Sequence, residues 1–262
     1  MSDRAIDARW RALGTSRALI PYLTAGFPTS AVSLEALRRV AEVGADFVEV
    51  GVPFSDPLAD GPTIQRTTQA ALDQGMNVPR VLELVNHATL AVPVVIMTYL
   101  NPVLAYGVER FLCDARDAGV AGVILTDLPA GADPAVEQAV RKSALALIRL
   151  VAPTSDDARL KQAVAGSTGF VYLISRLGVT GARADAPADL DAQVKRVRAA
   201  AGDGSGTRVA VGFGISTPAQ AAAAARSADG VVVGSALMDA LATGGVTAFA
   251  QLTRDLASAV HK

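Results

Sequence analysis

Glu49 stands in the string Asp46-Phe-Val-Glu-Val-Gly51, a carboxylate between Val48 and Val50 with Phe47 beside them. Burying such a group is costly unless it is paired, hydrogen-bonded or protonated, and an apolar setting raises its pKa towards the range useful for proton transfer. The alternative is a charge that reaches solvent at the end of its strand. Eleven residues on, Asp60 belongs to Pro53-Phe-Ser-Asp-Pro-Leu-Ala-Asp60-Gly-Pro62, so two carboxyls can face one substrate. Asp56 and Asp60 precede Pro and Gly-Pro, where aspartate often caps a turn through its own backbone. Taken singly, each reads as a turn residue. The three acids lack the spacing of a divalent-cation loop, and the prolines stiffen the segment.

Two glycine turns offer a different chemistry. Gly212-Phe-Gly-Ile-Ser216 and Gly234-Ser235 each follow a short apolar run. Glycine lets backbone N–H groups approach an anion, and a helix N-terminus beside them adds positive partial charge. The spacing of a dinucleotide-binding fingerprint is missing. Tyr172, at the end of Phe170-Val-Tyr-Leu-Ile-Ser175, can either aim its hydroxyl at a site or pack. His87 falls mid-helix and His261 is penultimate, which removes histidine-dependent triads. Cys113, the single cysteine, allows no internal disulfide and reads as a packed small hydrophobe.

The elements that must position these groups alternate along the whole chain. β-branched runs fall at 18–24, 47–51, 92–98, 122–127, 145–151, 170–175, 208–212 and 230–233. Helical periodicity fills 33–43, 63–72, 79–90, 109–118, 134–141, 155–165, 190–200 and 218–226, with a last stretch at 246–260. Thr217-Pro218 and Thr154-Ser155-Asp156 supply helix starts. Eight strand–helix repeats without a composition break predict an α/β fold: one closed (β/α)8 barrel over 1–262, with extra N-terminal and loop helices. A doubly wound open sheet is the runner-up. In a barrel, Glu49 ends the second strand and the glycine turns follow strands seven and eight, where such enzymes commonly hold a phosphate. The segments 52–62 and 176–189 are long strand-to-helix loops on the same face. The Gly/Ser stretch 202–206 falls on the opposite face and reads as a flexible turn.

Composition excludes several classes. The 262 residues carry 24 basic and 25 acidic side chains, a net charge of -1, which argues against a polyanion binder. With 51% hydrophobic and 19% charged residues there is ample core, and disorder is excluded. Mean hydropathy is high at +0.34, yet no apolar run approaches the ~20 residues of a membrane helix. The opening MSDRAIDARWRAL lacks the apolar centre of a signal peptide, so a cytoplasmic protein is expected.

The strings are specific enough to carry a family resemblance. Glu49-Val-Gly-Val-Pro-Phe-Ser-Asp-Pro-Leu-Ala-Asp60-Gly-Pro-Thr-Ile-Gln65 resembles the signature of the tryptophan synthase alpha subunits nearly residue for residue. Leu19-Ile-Pro-Tyr-Leu-Thr-Ala-Gly26, Met97-Thr-Tyr-Leu-Asn-Pro102, Val151-Ala-Pro-Thr154, Ser175-Arg-Leu-Gly-Val-Thr-Gly181, Gly212-Phe-Gly-Ile-Ser-Thr-Pro218 and Gly234-Ser-Ala236 resemble it in the same order.

The resemblance implies retro-aldol cleavage of indole-3-glycerol phosphate to indole and glyceraldehyde 3-phosphate, without a cofactor. It makes Glu49 the acid/base, Asp60 the partner of the indole nitrogen, and Tyr172 the tyrosine near Glu49. It places phosphate on Gly181, Phe213, Gly214, Gly234 and Ser235, and an indole pocket on Tyr22, Met97, Tyr99, Ile124, Thr126 and Leu150. It further implies a beta subunit in an alpha2beta2 complex, with pyridoxal phosphate (PLP) held by that partner. Pro53, Phe54, Asp56 and Thr180 would then serve loop closure and coupling. Phe27 and Thr126 depart from the residues usual in the family, which bears on pocket details only. A sugar-phosphate isomerase, a free-standing indole-releasing lyase and an inactive allosteric relative are the rival readings; intact Glu49 and Asp60 speak against the last.

Overall fold

The computed structural model describes residues 5–174, 189–202, 204–212 and 214–262. Its eight strands are β1 (Ala18–Thr24), β2 (Val48–Gly51), β3 (Val94–Thr98), β4 (Val120–Leu125), β5 (Ala146–Val151), β6 (Val171–Ile174), β7 (Val209–Gly212) and β8 (Gly230–Val233). All neighbours pair in parallel, and β8 returns to β1 through Ala18 opposite Gly230, so the barrel is closed in sequence order. The (β/α)8 expectation holds. Nearly every strand residue is buried, as strands covered on both faces must be.

Successive side chains alternate between two cores. Ile20, Phe47, Val95, Ile148 and Phe170 fill the barrel interior. Leu19, Val48, Ile96, Val123 and Leu147 point outward into the layer beneath the helices. Helix α1 (Ala5–Leu13) closes the N-terminal end of the barrel. Its buried Trp10 lies 4.8 Å from the Phe47 ring and 6.0 Å from the Phe170 ring, centroid to centroid. At the same end, the Asp46 carboxylate accepts from the Leu19 amide at 2.8 Å, from Arg9 at 2.7 Å and meets His261 at 2.8 Å. His261 is therefore a clamp at the end opposite the loops that carry chemistry.

The outer layer comprises α2 (Ser30–Glu42), α3 (Pro62–Asp73), α4 (Val78–Ala88), α5 (Leu100–Tyr106), α6 (Val108–Asp117), α7 (Pro134–Lys142), α8 (Asp157–Gly166), α9 (Leu190–Ala201), α10 (Pro218–Ala225) and α11 (Ser235–Val260). Thr217 caps α10 with a reciprocal capping box to Gln220, and Asp156 caps α8. Helix α5 is an extra loop helix at a place the periodicity does not mark. Two features differ from the sequence expectation. Helix α11 starts at Ser235, directly after β8, with a non-helical break at Gly245. Cys113 is exposed, not packed: α6 buries Phe111, Leu112 and Ala115, and Cys113 falls off that stripe. Among the described residues no helix is long and apolar enough to cross a membrane.

Candidate active site

The C-terminal end of the barrel holds a cavity of about 290 Å3. Glu49, Asp60, Tyr22, Met97 and Tyr172 line it, together with Gly214, Ser216, Gly234 and Ser235. Strand register explains why these residues meet. Tyr22 of β1 is directly paired with Glu49 of β2, and Gly51 of β2 with Met97 of β3. Period-two alternation turns all of them inward at the last layer before the loops.

Glu49 is 2% exposed, and among the described residues no cation pairs with it. Burial, reinforced by the charge of Asp60, pushes its carboxyl up to about 8. Asp60 is likewise raised by burial, to about 6, with the Tyr99 hydroxyl bond holding it down. The two carboxyls thus take different protonation states near neutrality, Glu49 mostly protonated and Asp60 mostly ionised. Such a split is how two carboxyls acquire separate acid and charge-stabilising roles. Burial raises both Tyr22 and Tyr172, so their hydroxyls stay neutral.

Glycine makes room for these tyrosines. A methyl group on Gly51 would overlap the Tyr22 ring and hydroxyl, and one on Gly212 would overlap those of Tyr172. The strand ends are bare so that two phenols can lie over them.

The loop after β2 delivers Asp60. The Asp60 amide closes a turn on the Pro57 carbonyl at 3.0 Å, and the Leu58 amide another on Asp56 at 2.9 Å. The Tyr99 hydroxyl accepts from the Ala59 amide at 2.9 Å, and the Tyr99 ring lies 5.2 Å from that of Phe54. Pro53 is buried, Asp56 is exposed, and Leu58 is 93% exposed. Pro62 then occupies the first turn of α3, as its fixed φ suits.

At the other end of the cavity, Gly214 has φ +81, a backbone conformation that favours glycine. Gly234 precedes α11 with no side-chain cap. The Leu237 and Met238 amides close on the Gly234 carbonyl at 2.9 and 3.0 Å. That leaves the Ser235 and Ala236 amides without partners inside the helix, in two residues that line the cavity.

Not every expected site residue reaches the cavity wall. Tyr99 stands behind the Asp60 loop. Ile124 is packed in the barrel interior, and Leu150 is half-buried against the same cluster. The Thr126 hydroxyl donates to the Thr98 carbonyl at 3.2 Å. Thr180, Gly181 and Phe213 lie outside the described residues. Sequence reasoning missed Thr63, Ser216, Val232 and Asp239 on the wall. Val232 could have been found, since it lies two residues before Gly234 and shares its face; Asp239 could not, because the first half of α11 was not read as helix.

Comparison with known proteins agrees with this fold. The family model described as tryptophan synthase alpha chain matches residues 12–260. The chain belongs to that family. Its members are carbon–carbon lyases that cleave indole-3-glycerol phosphate in tryptophan biosynthesis. The alpha chain of Methanosarcina acetivorans is 48% identical over 168 residues, 64% of this chain and 62% of that one. The alpha chain of Citrifermentans bemidjiense is 45% identical over 240 residues, 91% of this chain and 87% of that one. Among solved structures, tryptophan synthase from M. tuberculosis in its aminoacrylate-bound form superposes with a TM-score of 0.88 at 39% identity, covering 98% of this chain and 100% of that chain. The subunit alpha from Legionella pneumophila gives 0.89 at 33% identity, with 99% of each chain covered.

Proposed function

We propose that this chain cleaves indole-3-glycerol phosphate by a retro-aldol reaction, with Glu49 moving the protons and Asp60 holding the charge. The observation that carries the reading is a buried carboxyl and a half-buried one on the same cavity, raised to about 8 and about 6. Glu49, protonated at neutral pH, delivers its proton to indole C3. The positive charge that develops spreads to the ring nitrogen, where ionised Asp60 stabilises it within a water-poor cleft. The bond from C3 to the side chain then breaks, and its electron pair returns to the ring. The adjacent hydroxyl becomes the aldehyde and gives its proton to the Glu49 carboxylate, which restores the starting state. Proton transfer and charge stabilisation suffice for this step, so it calls for no cofactor.

Gly214, Gly234 and Ser235 suit the substrate phosphate, with Gly181 and Phe213 as further contacts. Tyr22, Met97 and Tyr172 suit the ring, and Tyr99 supports Asp60. The isomerase reading has no use for a second carboxyl at Asp60.

A beta subunit, in an alpha2beta2 assembly with its own pyridoxal phosphate, is the partner that fits. Leu58, on the loop that carries Asp60, is 93% exposed and Leu104 of α5 49%, and a chain that exposes large apolar groups has a surface to cover. Indole release is the test. Glu49→Gln and Asp60→Asn, assayed with and without beta subunit, should each lose at least ~10²-fold in rate while still binding substrate. Near-normal turnover in Glu49→Gln overturns the assignment.

A further inference from the structure

Three carboxyls line the cavity, Glu49, Asp60 and Asp239, and among the described lining residues there is no lysine, arginine or histidine. A phosphate dianion therefore enters a cleft whose described side chains carry only acids. Asp239 is the acid at the phosphate end. It lies one helical turn beyond Ser235 on the same face of α11, about 6 Å along the helix axis from the amides proposed to hold the anion.

Across the mouth of the cavity, α3 presents Thr63 and Arg66 on one face, three residues apart. Arg66 Nη2 meets Asp239 Oδ1 at 2.7 Å, and the Thr63 hydroxyl donates to both Asp239 oxygens at 3.3 Å. The side chains are 58% and 50% exposed, so the pair adds little to stability. Its placement matters more than its strength: among the described residues, Arg66 is a cation in contact with the cavity's wall.

We propose that Arg66 and Asp239 set how strongly the cleft accepts the phosphate end of its substrate, Arg66 cancelling a carboxylate that would otherwise repel the dianion. The inference rests on the phosphate placement proposed above. It makes both residues tuning groups for substrate binding, acting through charge at the rim and not through the reacting atoms. A unit charge acting on a dianion from about 6 Å through solvent is worth about tenfold in affinity, and it fades as the Debye length falls from about 30 Å at 0.01 M salt to about 3 Å at 1 M.

The test is calorimetric binding of glycerol 3-phosphate and of indole to the full chain at low and high salt. Arg66→Ala should weaken glycerol 3-phosphate about tenfold at 0.01 M salt and less than twofold at 1 M, leaving indole within twofold. Asp239→Asn should tighten the phosphate compound above the wild type. The double variant Arg66→Ala/Asp239→Asn should return most of the lost affinity, because the uncancelled charge is gone. A purely structural tie between α3 and α11 predicts the reverse: the double variant as weak as Arg66→Ala, with salt-independent losses that include indole. That result overturns the proposal. If the wild-type chain itself fails to bind glycerol 3-phosphate, the phosphate placement fails and this inference with it; if the wild type binds and the variants match it, only this inference fails.

Discussion

The Tyr99 hydroxyl joins the end of β3 to Asp60. It donates to the Asp60 carboxylate while accepting from the amide of Ala59, and so fixes both the position and the charge of the cavity's second carboxyl. A hydrogen bond to the charged form favours ionisation, which is why Asp60 rises only to about 6 despite its burial. Tyr99→Phe keeps the ring against Phe54 and removes only the oxygen. Asp60 should then titrate above 6, and the acidic limb of the pH–rate profile should move up with it. Activity should fall about 3–10-fold at pH 6 and recover towards pH 8. An acidic limb that stays where it was in the wild type would remove Tyr99 from this role.

Glu49 gives a prediction in which activity and stability part. Its carboxyl titrates at about 8 in the folded chain against an ordinary 4.5, so the folded state holds the proton more tightly than the unfolded one. Stability from this group is complete below pH 4.5 and is lost as pH rises through 8. Asp60, raised from 3.8 to about 6, adds a loss of the same sign at lower pH. Glu49→Gln abolishes the first of these losses. The variant's Tm relative to wild type should climb from pH 5 to pH 9, while indole formation stays at least ~10²-fold down. A Tm difference that does not change with pH would show that Glu49 is not buried in this way.

The two phosphate-side glycines should fail differently. Gly214 has φ +81, so even alanine is strained there and should cost about 1 kcal/mol of stability besides affinity. Gly234 has φ -118, and an added Cβ would meet the Tyr22 side chain at 3.5 Å, an ordinary contact. Gly234→Ala should fold normally, its methyl resting against Tyr22. Titrations should show glycerol 3-phosphate weakened by Gly214→Ala, with indole little changed. Equal losses for both ligands would mean that the phosphate does not sit between these turns.

What the sequence made legible follows from how local its signals are. Strand ends were read to within a few residues because each β-branched run stops at a glycine or polar residue, as at Gly51 and Gly212. Glu49 was legible as a charge among valines. The carboxyl–phenol link was not, because Tyr99 and Asp60 are joined by the barrel's register and not by spacing. Helix α5 was missed for a related reason: its first amide, on Leu100, is capped from a distance by Asp127 at 2.7 Å, so no capping residue precedes it in the chain. The first half of α11 was hidden behind Gly244-Gly245, which ends its periodicity. That loss concealed Asp239. Cys113 was misjudged because a residue's type does not say which side of the helix stripe it falls on.

The last prediction concerns how a partner would be felt at Asp60. Asp56 and Leu58 point outward, and two backbone turns, Leu58 on Asp56 and Asp60 on Pro57, make the segment between them short and stiff. A displacement of Asp56 is therefore carried to Asp60 within one turn of chain. Phe54 and Tyr99 brace the same loop from below. A beta subunit that engages Asp56 and covers Leu58 would select the loop position in which Asp60 faces the substrate. Linkage then demands that a substrate analogue tighten partner binding by the factor by which the partner tightens the analogue. Leu58→Ser should weaken partner binding about 10-fold or more, by loss of a fully exposed apolar anchor. Asp56→Ala should reduce the partner's stimulation of indole release by more than it reduces the rate of the chain alone. Affinity for the beta subunit, measured with and without a non-cleavable phosphate analogue, checks both. If the analogue leaves that affinity unchanged in the wild type, or if Asp56→Ala keeps full stimulation, the loop is rigid for catalysis alone and the coupling runs elsewhere.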